Sequence, residues 1–263
     1  MDLQLEDKVI LVTGGDKGIG FGICEALARE NAIPVVIGRK PPDVLNAVRT
    51  IESNGGKAFQ AFAELTDPRQ CEAAVKQVIE KFGRIDGLVN NAGVNDGISL
   101  ERGSYDEFVQ SYLRNTAHYY LMAQLALPWL KKSKGAIINI GSKVSLTGQG
   151  GTSGYAAANG ARNALTREWA VELLPYDIRV NALIVAECLT PQYEKWINTF
   201  PDPGARLKEI TTKIPLENRM TTTQEIADAV AFLLSPKSSH TTGQLMFVDG
   251  GYVHLDRVIK HLK

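Results

Sequence analysis

Apolar runs of strand length alternate with longer stretches of helical period through most of the chain. KVILVTG reads as a buried strand, Gly18 to Glu30 as an amphipathic helix and IPVVIG as a second strand. The same rhythm predicts a helical region after Pro42, a strand in KAFQAFAEL, a helix from Asp67 to Phe82 and a strand in DGLVNNAG. A long helical region is predicted over Ser104 to Lys131, and the strand GAIINIGS then leads into the glycine-rich loop GQGGTSG. A helix from about Tyr155 to Leu174 and the strand IRVNALIV follow. Strands that alternate with helices predict an α/β protein, a doubly wound parallel sheet covered on both faces.

The pattern weakens between Cys188 and Met220, where Pro191, Pro201, Pro203 and Pro215 interrupt it. A loop-rich insertion of this length is expected to form a small substrate lid over 188–220. Periodicity returns in TTQEIADAVAFLLS, with Thr223 as the expected helix cap, and ends in the strand QLMFVDGG. Neither a repeat nor a linker divides residues 1–263, so one domain is expected.

Composition narrows the function. The 263 residues are 44% hydrophobic and 22% charged, enough to bury a large core. Lys plus Arg and Asp plus Glu each number 29, which leaves no basic field for nucleic acid and points to a small-molecule partner. The leader MDLQLED lacks a signal pattern, and no apolar run reaches membrane-spanning length. Cys24, Cys71 and Cys188 form neither a metal nor a redox motif and are expected to be buried free thiols in the cytoplasm.

The candidate chemistry starts at the first turn. Thr13-Gly14-Gly15-Asp16-Lys17-Gly18-Ile19-Gly20 joins the first strand to the first helix, where free backbone N–H groups and the helix dipole favour a diphosphate. Its spacing resembles the TGxxxGIG pattern of the short-chain dehydrogenase/reductase family. Asn90-Asn91-Ala92-Gly93 resembles the family's NNAG, Asn115 lies on the next helix, Ser142 and Tyr155 stand at the family's catalytic spacing, and FVDGG closes the match. The resemblance covers nearly the whole chain. It implies a Rossmann-type fold, a nicotinamide cofactor held by Gly14, Lys17, Gly18, Ile19, Gly20, Asn91 and Gly93, and a homotetramer packed through the long helices.

By the same resemblance Tyr155 removes the substrate hydroxyl proton, Ser142 orients the reacting oxygen, and Asn115 belongs to the catalytic set. A free tyrosine ionises near about pH 10, so a base working near neutrality needs its charged form stabilised. The family does this with a lysine four residues after the tyrosine; here that position is Asn159. Asn159 can hydrogen-bond a cofactor ribose but brings no charge. Two other cations stand nearby in sequence. Lys143 adjoins Ser142, and Arg162 lies two turns beyond Tyr155, about 10 Å away by helical rise and expected to make a surface contact. On this reading Asn159→Lys is expected to raise the rate at neutral pH.

Arg39, where NAD-selective sheets carry an acid, and Lys17 resemble the family's NADP(H) pattern, with NAD(H) as the alternative. Glu64 is expected near the adenine and Thr190 near the nicotinamide amide, although Val185-Ala186-Glu187 replaces the usual Pro-Gly. Asn95, Asp96, Gln149, Glu187, Tyr193 and Trp196 are expected to border the substrate cleft. Their polar and aromatic mixture suits an aldose, and NNAGVNDG, TGQGGTSGY and DGGYVHLDR resemble the family's L-fucose dehydrogenase branch. The alternatives are a cofactor-binding protein with weak or lost turnover and a general carbonyl or 3-oxoacyl reductase. No residues point to a metal.

Overall fold

A computed structural model describes residues 1–255, so Asp256 and Arg257 of the DGGYVHLDR segment lie outside the described residues. The chain runs β1 (Val9–Thr13), α1 (Gly18–Arg29), β2 (Ile33–Gly38), α2 (Pro41–Ser53), β3 (Phe59–Phe62), α3 (Pro68–Phe82) and β4 (Gly87–Asn90). It continues through α4 (Tyr105–Tyr112), α5 (His118–Ser133), β5 (Ala136–Ser142), α6 (Ser153–Glu172) and β6 (Arg179–Val185). The last elements are α7 (Pro191–Ile197), α8 (Pro203–Thr211), α9 (Thr223–Leu234) and β7 (Leu245–Val248).

The seven strands form one parallel sheet in the order β3, β2, β1, β4, β5, β6, β7. Successive side chains of a strand point to opposite faces, and β1 shows the consequence. Ile10 and Val12 pack with Ile23, Leu27, Ile226 and Val230 of α1 and α9. Val9 and Leu11 pack on the other face with Val75, Met122 and Trp169 of α3, α5 and α6. Both faces are thus buried, which explains why the strands read as continuous apolar runs. The strand order reverses direction between β1 and β4, opening a crevice at their carboxyl ends where ligands bind in such sheets.

Three boundaries differ from the sequence reading. The region 104–131 is two helices joined by a π turn, Leu113–Ala117, rather than one helix. The cap of α9 is Thr222, not Thr223: its hydroxyl accepts from the Glu225 N–H at 3.2 Å while the Glu225 carboxylate accepts from the Thr222 N–H at 2.8 Å. This reciprocal capping box uses the pair three residues apart. Pro191 and Pro203 do not interrupt structure. Each occupies the first position of a helix, α7 or α8, where its missing N–H has no intrahelical acceptor to lose. The region 188–220 therefore has its own small apolar cluster of Ile197, Ile210, Ile214 and Met220.

Two measurements check the α9 entry. Thr222→Ala removes one arm of the box and is expected to lower unfolding stability by about 1 kcal/mol in denaturant titrations. The Arg219 guanidinium, hydrogen-bonded to Glu225, together with the Thr222 N–H, holds the Glu225 carboxyl down at about 2. A depressed carboxylate stabilises the fold fully above its ordinary value of 4.5 and loses that contribution as pH falls toward 2. Thermal unfolding of the parent and Glu225→Gln should therefore converge across that acid window and differ above it.

Candidate active site

The crevice is built around one polar staple. The Thr13 hydroxyl accepts from the N–H groups of Asn91 and Ala92 at 2.9 and 3.1 Å. The Asn91 amide donates back to the carbonyls of Thr13 and Gly14 at 2.9 and 3.2 Å. The end of β4 thereby holds the turn that follows β1. Within that turn Gly14 and Gly18 have φ of +63° and +57°, a region that L side chains rarely adopt. At Gly20 an added Cβ would lie 2.0 Å from the Gly14 carbonyl oxygen.

Lys17 stands at the N-cap of α1 in extended conformation and makes no side-chain cap, as is also the case at α2 and α6. The first N–H groups of α1, including those of Gly18 and Ile19, are left to a ligand, and the helix dipole favours an anionic one. The turn, the bare helix end and the crevice fit a dinucleotide diphosphate. Thr190 faces the same turn: its Cβ would be 3.5 Å from a Cβ placed on Gly18, and its hydroxyl caps α7.

Both cations expected at a cofactor's adenosine end are already paired. Lys17 Nζ lies 2.8 Å from Asp43 and 3.3 Å from Asp16. The hydrogen bond to Asp43, more than the Asp16 charge, holds the Lys17 ammonium above its usual range. Arg39 meets Glu64 at 3.5 Å, and Glu64 also accepts from the Thr66 hydroxyl and N–H. Asp16, which sequence reasoning missed, reaches Gly38 at the end of β2, with its carboxylate 3.0 Å from where a Gly38 Cβ would sit. Its position inside the glycine motif, next to Lys17, was the available signal.

Ser142 ends β5 and Tyr155 is the third residue of α6, both half-buried at the mouth of the crevice. Gly93 lies against Asn115 and Arg162: an added Cβ would meet Asn115 Oδ1 at 3.0 Å and Arg162 Nη2 at 2.7 Å. Asn115 sits in the π turn, where its Oδ1 accepts from the Val94 N–H at 2.7 Å. Asn159 is fully buried. Its amide nitrogen donates to the Tyr155 carbonyl at 2.8 Å and its Oδ1 accepts from Arg162 Nη1 at 3.1 Å. Its polar atoms are thus engaged within α6 rather than aimed at a ribose.

The expectation for Arg162 requires correction. The residue is 2% exposed, and its guanidinium stands 5.9 Å from the centre of the Tyr155 ring and 4.3 Å from that of Tyr119. The error came from measuring helical rise between Cα atoms. Long helical side chains lean toward the N-terminus of their helix, and Arg162 returns over the turn that holds Asn159.

Lys143 is also buried and is ion-paired with Glu187; its ammonium lies 4.0 Å over the Tyr252 ring. Glu187 in turn contacts Tyr193, whose hydroxyl is pushed above its ordinary range by burial first and then by the Glu187 charge. Tyr193, Trp196 and Phe200 stack edge-on with centroids 5.1 and 5.0 Å apart, leaving Trp196 partly exposed on α7. Asn95 and Gln149 are exposed loop residues, and Asn95 Oδ1 accepts from the Thr152 hydroxyl at 2.5 Å. Asp96 is held by the Ser111 hydroxyl and Arg114 at 2.9 and 3.0 Å and braces α4. The three cysteines are buried and unpaired, and desolvation raises each thiol, to about 11 for Cys71 and about 12 for Cys188. Among the described residues no His, Cys, Asp and Glu cluster is able to hold a metal, and no helix is long and apolar enough to cross a membrane.

A parallel sheet with a glycine-rich dinucleotide turn at its switch point, and a serine and tyrosine beside it, defines a nucleotide-dependent oxidoreductase class. The family model described as enoyl-(acyl carrier protein) reductase matches residues 14–253. The L-fucose dehydrogenase of Bos taurus is 34% identical over 252 residues, covering 95% of this chain and 91% of its own. The 3-oxoacyl-(acyl-carrier-protein) reductase FabG of Thermotoga maritima is 32% identical over 252 residues, covering 95% and 100%. The crystal structure of Cj0485 dehydrogenase matches with a TM-score of 0.94 at 45% identity, over 99% of this chain and 100% of that one. The chain belongs to the classical short-chain dehydrogenase/reductase family, whose members use NAD(P)(H), and it is a dehydrogenase/reductase.

The staple and the glycine cradle make a direct prediction. Gly20→Ala forces its Cβ onto the Gly14 carbonyl and is expected to weaken NADPH or NADH binding by tenfold or more, read by fluorescence titration. Gly160→Ala on α6, where an added Cβ meets nothing within 4 Å, is the control expected to leave binding unchanged.

Proposed function

We propose that this protein is an NADP(H)-linked oxidoreductase of an aldose or a similarly polar secondary alcohol, with L-fucose as the first sugar to test. The observation that carries the reading is the buried Lys143–Glu187 pair, which begins one residue after Ser142 and is bordered by Tyr193 and Tyr252. Charged donors and acceptors held out of water at the reacting end suit a hydroxyl-rich substrate, whose hydroxyls can both donate to and accept from them. The similarity to an L-fucose dehydrogenase supports the same choice.

In this reading Gly14, Gly18, Ile19, Gly20, Asn91 and Gly93 shape the cofactor site, with Thr190 at its nicotinamide end. Lys17 and Arg39 exchange their carboxylate partners for a 2′-phosphate, while Glu64 stays beside the adenine. The bound nicotinamide supplies the hydride acceptor. Ser142 donates a hydrogen bond that orients the sugar hydroxyl, Tyr155 takes its proton, and Asn115 and Asn159 fix the backbone beneath them. Glu187, Asn95, Gln149 and Trp196 bound the sugar, and α7 and α8 form the lid over 188–220. The exposed apolar residues Tyr112 on α4, Leu113 in the π turn and Tyr120 on α5, with Val171 on α6, support a homotetramer closed through these helices.

The test is a cofactor titration followed by turnover assays on an aldose panel. The reading expects NADP+ to bind more tightly than NAD+ and L-fucose or a related aldose to be oxidised. Cofactor binding with no turnover of any sugar or acyl thioester would instead support a binding protein, and turnover of thioesters alone a 3-oxoacyl reductase. Arg39→Asp is expected to reverse the cofactor preference by about tenfold or more, because it replaces a charge-assisted bond to the 2′-phosphate with repulsion. Sedimentation velocity should show a tetramer that Tyr120→Glu dissociates.

A further inference from the structure

Arg162 is a buried cation with no anion. Its Nε and Nη2 both donate to the Asn115 carbonyl, the first at 2.7 Å, and Nη1 donates to the Ile140 carbonyl and to Asn159 Oδ1, each at 3.1 Å. Every one of these acceptors is neutral. Asp96 and Glu187 are paired with other cations, Arg114 and Lys143. An uncompensated charge inside a protein is costly and is retained where an opposite charge forms beside it. The Tyr155 ring, whose hydroxyl is able to become an anion in the working site, has its centre 5.9 Å from the guanidinium.

We propose that Arg162 is a positioning residue that supplies, from three residues further along α6, the positive charge missing at Asn159, and that it supports the ionised form of Tyr155. The proposal rests on Tyr155 acting as the base. In the resting protein the phenolic proton passes to solvent; in turnover the phenolate accepts the substrate hydroxyl proton, so no further reactant is needed. Asn159 is the connector. It ties the guanidinium to the Tyr155 backbone through one amide, donating to the Tyr155 carbonyl and accepting from Nη1.

The other groups facing this site do not take over the charge. Tyr119, on α5, packs its ring under the guanidinium and donates its hydroxyl proton to the Ile140 carbonyl at 3.1 Å. His118 is held neutral, down at about 3, by burial first and by the Arg162 charge second. Arg114 and Asp96 neutralise one another at α4, as do Lys143 and Glu187 past the end of β5. This arrangement also revises the expectation for Asn159→Lys. An ammonium there would stand against Nη1, so the single substitution is expected to gain little, whereas moving the charge is expected to work.

The test reads tyrosinate absorbance from pH 6 to 11 in protein without cofactor or sugar. Each protein is measured against its own Tyr155→Phe partner, so that one of the eight tyrosines is isolated. Arg162→Gln is expected to move the Tyr155 signal up by one pH unit or more, which is tenfold or more in tyrosinate at a given pH. Asn159→Asp keeps the acceptor for Nη1 but neutralises the charge, and the same upward displacement is expected. Asn159→Lys combined with Arg162→Met is expected to bring the signal back toward the parent. A folded Arg162→Gln, judged by circular dichroism, that titrates with the parent would overturn the proposal. If that variant does not fold, Asn159→Asp titrating with the parent overturns it. Failure of sugar turnover would count against the proposed substrate alone, since this measurement uses neither sugar nor cofactor.

Discussion

The hydrogen bonds between Thr13 and Asn91 are the constraint on which the site depends. They join the carboxyl ends of β1 and β4, the two strands between which the sheet reverses its winding, and so fix the crevice at its floor. Everything that follows is placed relative to this join. The glycine turn leaves it toward α1 with its N–H groups free, and Ala92-Gly93 leaves it toward Asn115 and Arg162. A hydroxyl that accepts two N–H groups and an amide that donates to two carbonyls leave little freedom for either strand end.

Burial decides how the polar residues around this floor are used. Near the surface Lys17 and Arg39 meet Asp43 and Glu64 in pairs more than a third exposed, which a ligand phosphate can displace at small cost. Deeper in, Lys143 and Glu187 are shielded, so their attraction is screened less than that of a solvated pair. The exposed pairs Lys17–Asp43 and Arg39–Glu64 and the enclosed pair Lys143–Glu187 match what the proposed function asks of each end. On the proposed reading the first end admits an anion and the second discriminates among hydroxyls.

The fold was legible because both faces of the sheet are covered, so each strand is an apolar run and each helix shows its period. The glycine turn was legible because its backbone geometry demands glycine at Gly14, Gly18 and Gly20, whereas Ser142 and Tyr155 were picked out by resemblance to the family. Thr222 and Thr223 differ only in which one reaches Glu225, and spacing favours the former once the box is considered. The π turn at Leu113–Ala117 was not read from the periodicity, because the apolar residues on either side of it cover most of the helix surface and show no sharp change of face. Arg162 was misplaced because sequence spacing gives the separation of Cα atoms, while an arginine side chain spans more than one helical turn.

That last difference bears on how a charge can move within a fold without losing its effect. A lysine four residues after the tyrosine acts by lying on the same helical face one turn away. An arginine seven residues after it shares that face two turns away, and its length and backward lean recover most of the added rise. The two solutions differ in what they require of their surroundings. A compact ammonium needs few acceptors, whereas the planar guanidinium must satisfy five N–H donors in fixed directions. The carbonyls of Asn115 and Ile140 and the Asn159 amide accept four hydrogen bonds from it, and the Tyr119 ring covers the guanidinium face. Asn159 is therefore better understood as part of the socket for Arg162 than as a lysine that was lost. A neutral residue at that position is what allows a cation to occupy the space beside it.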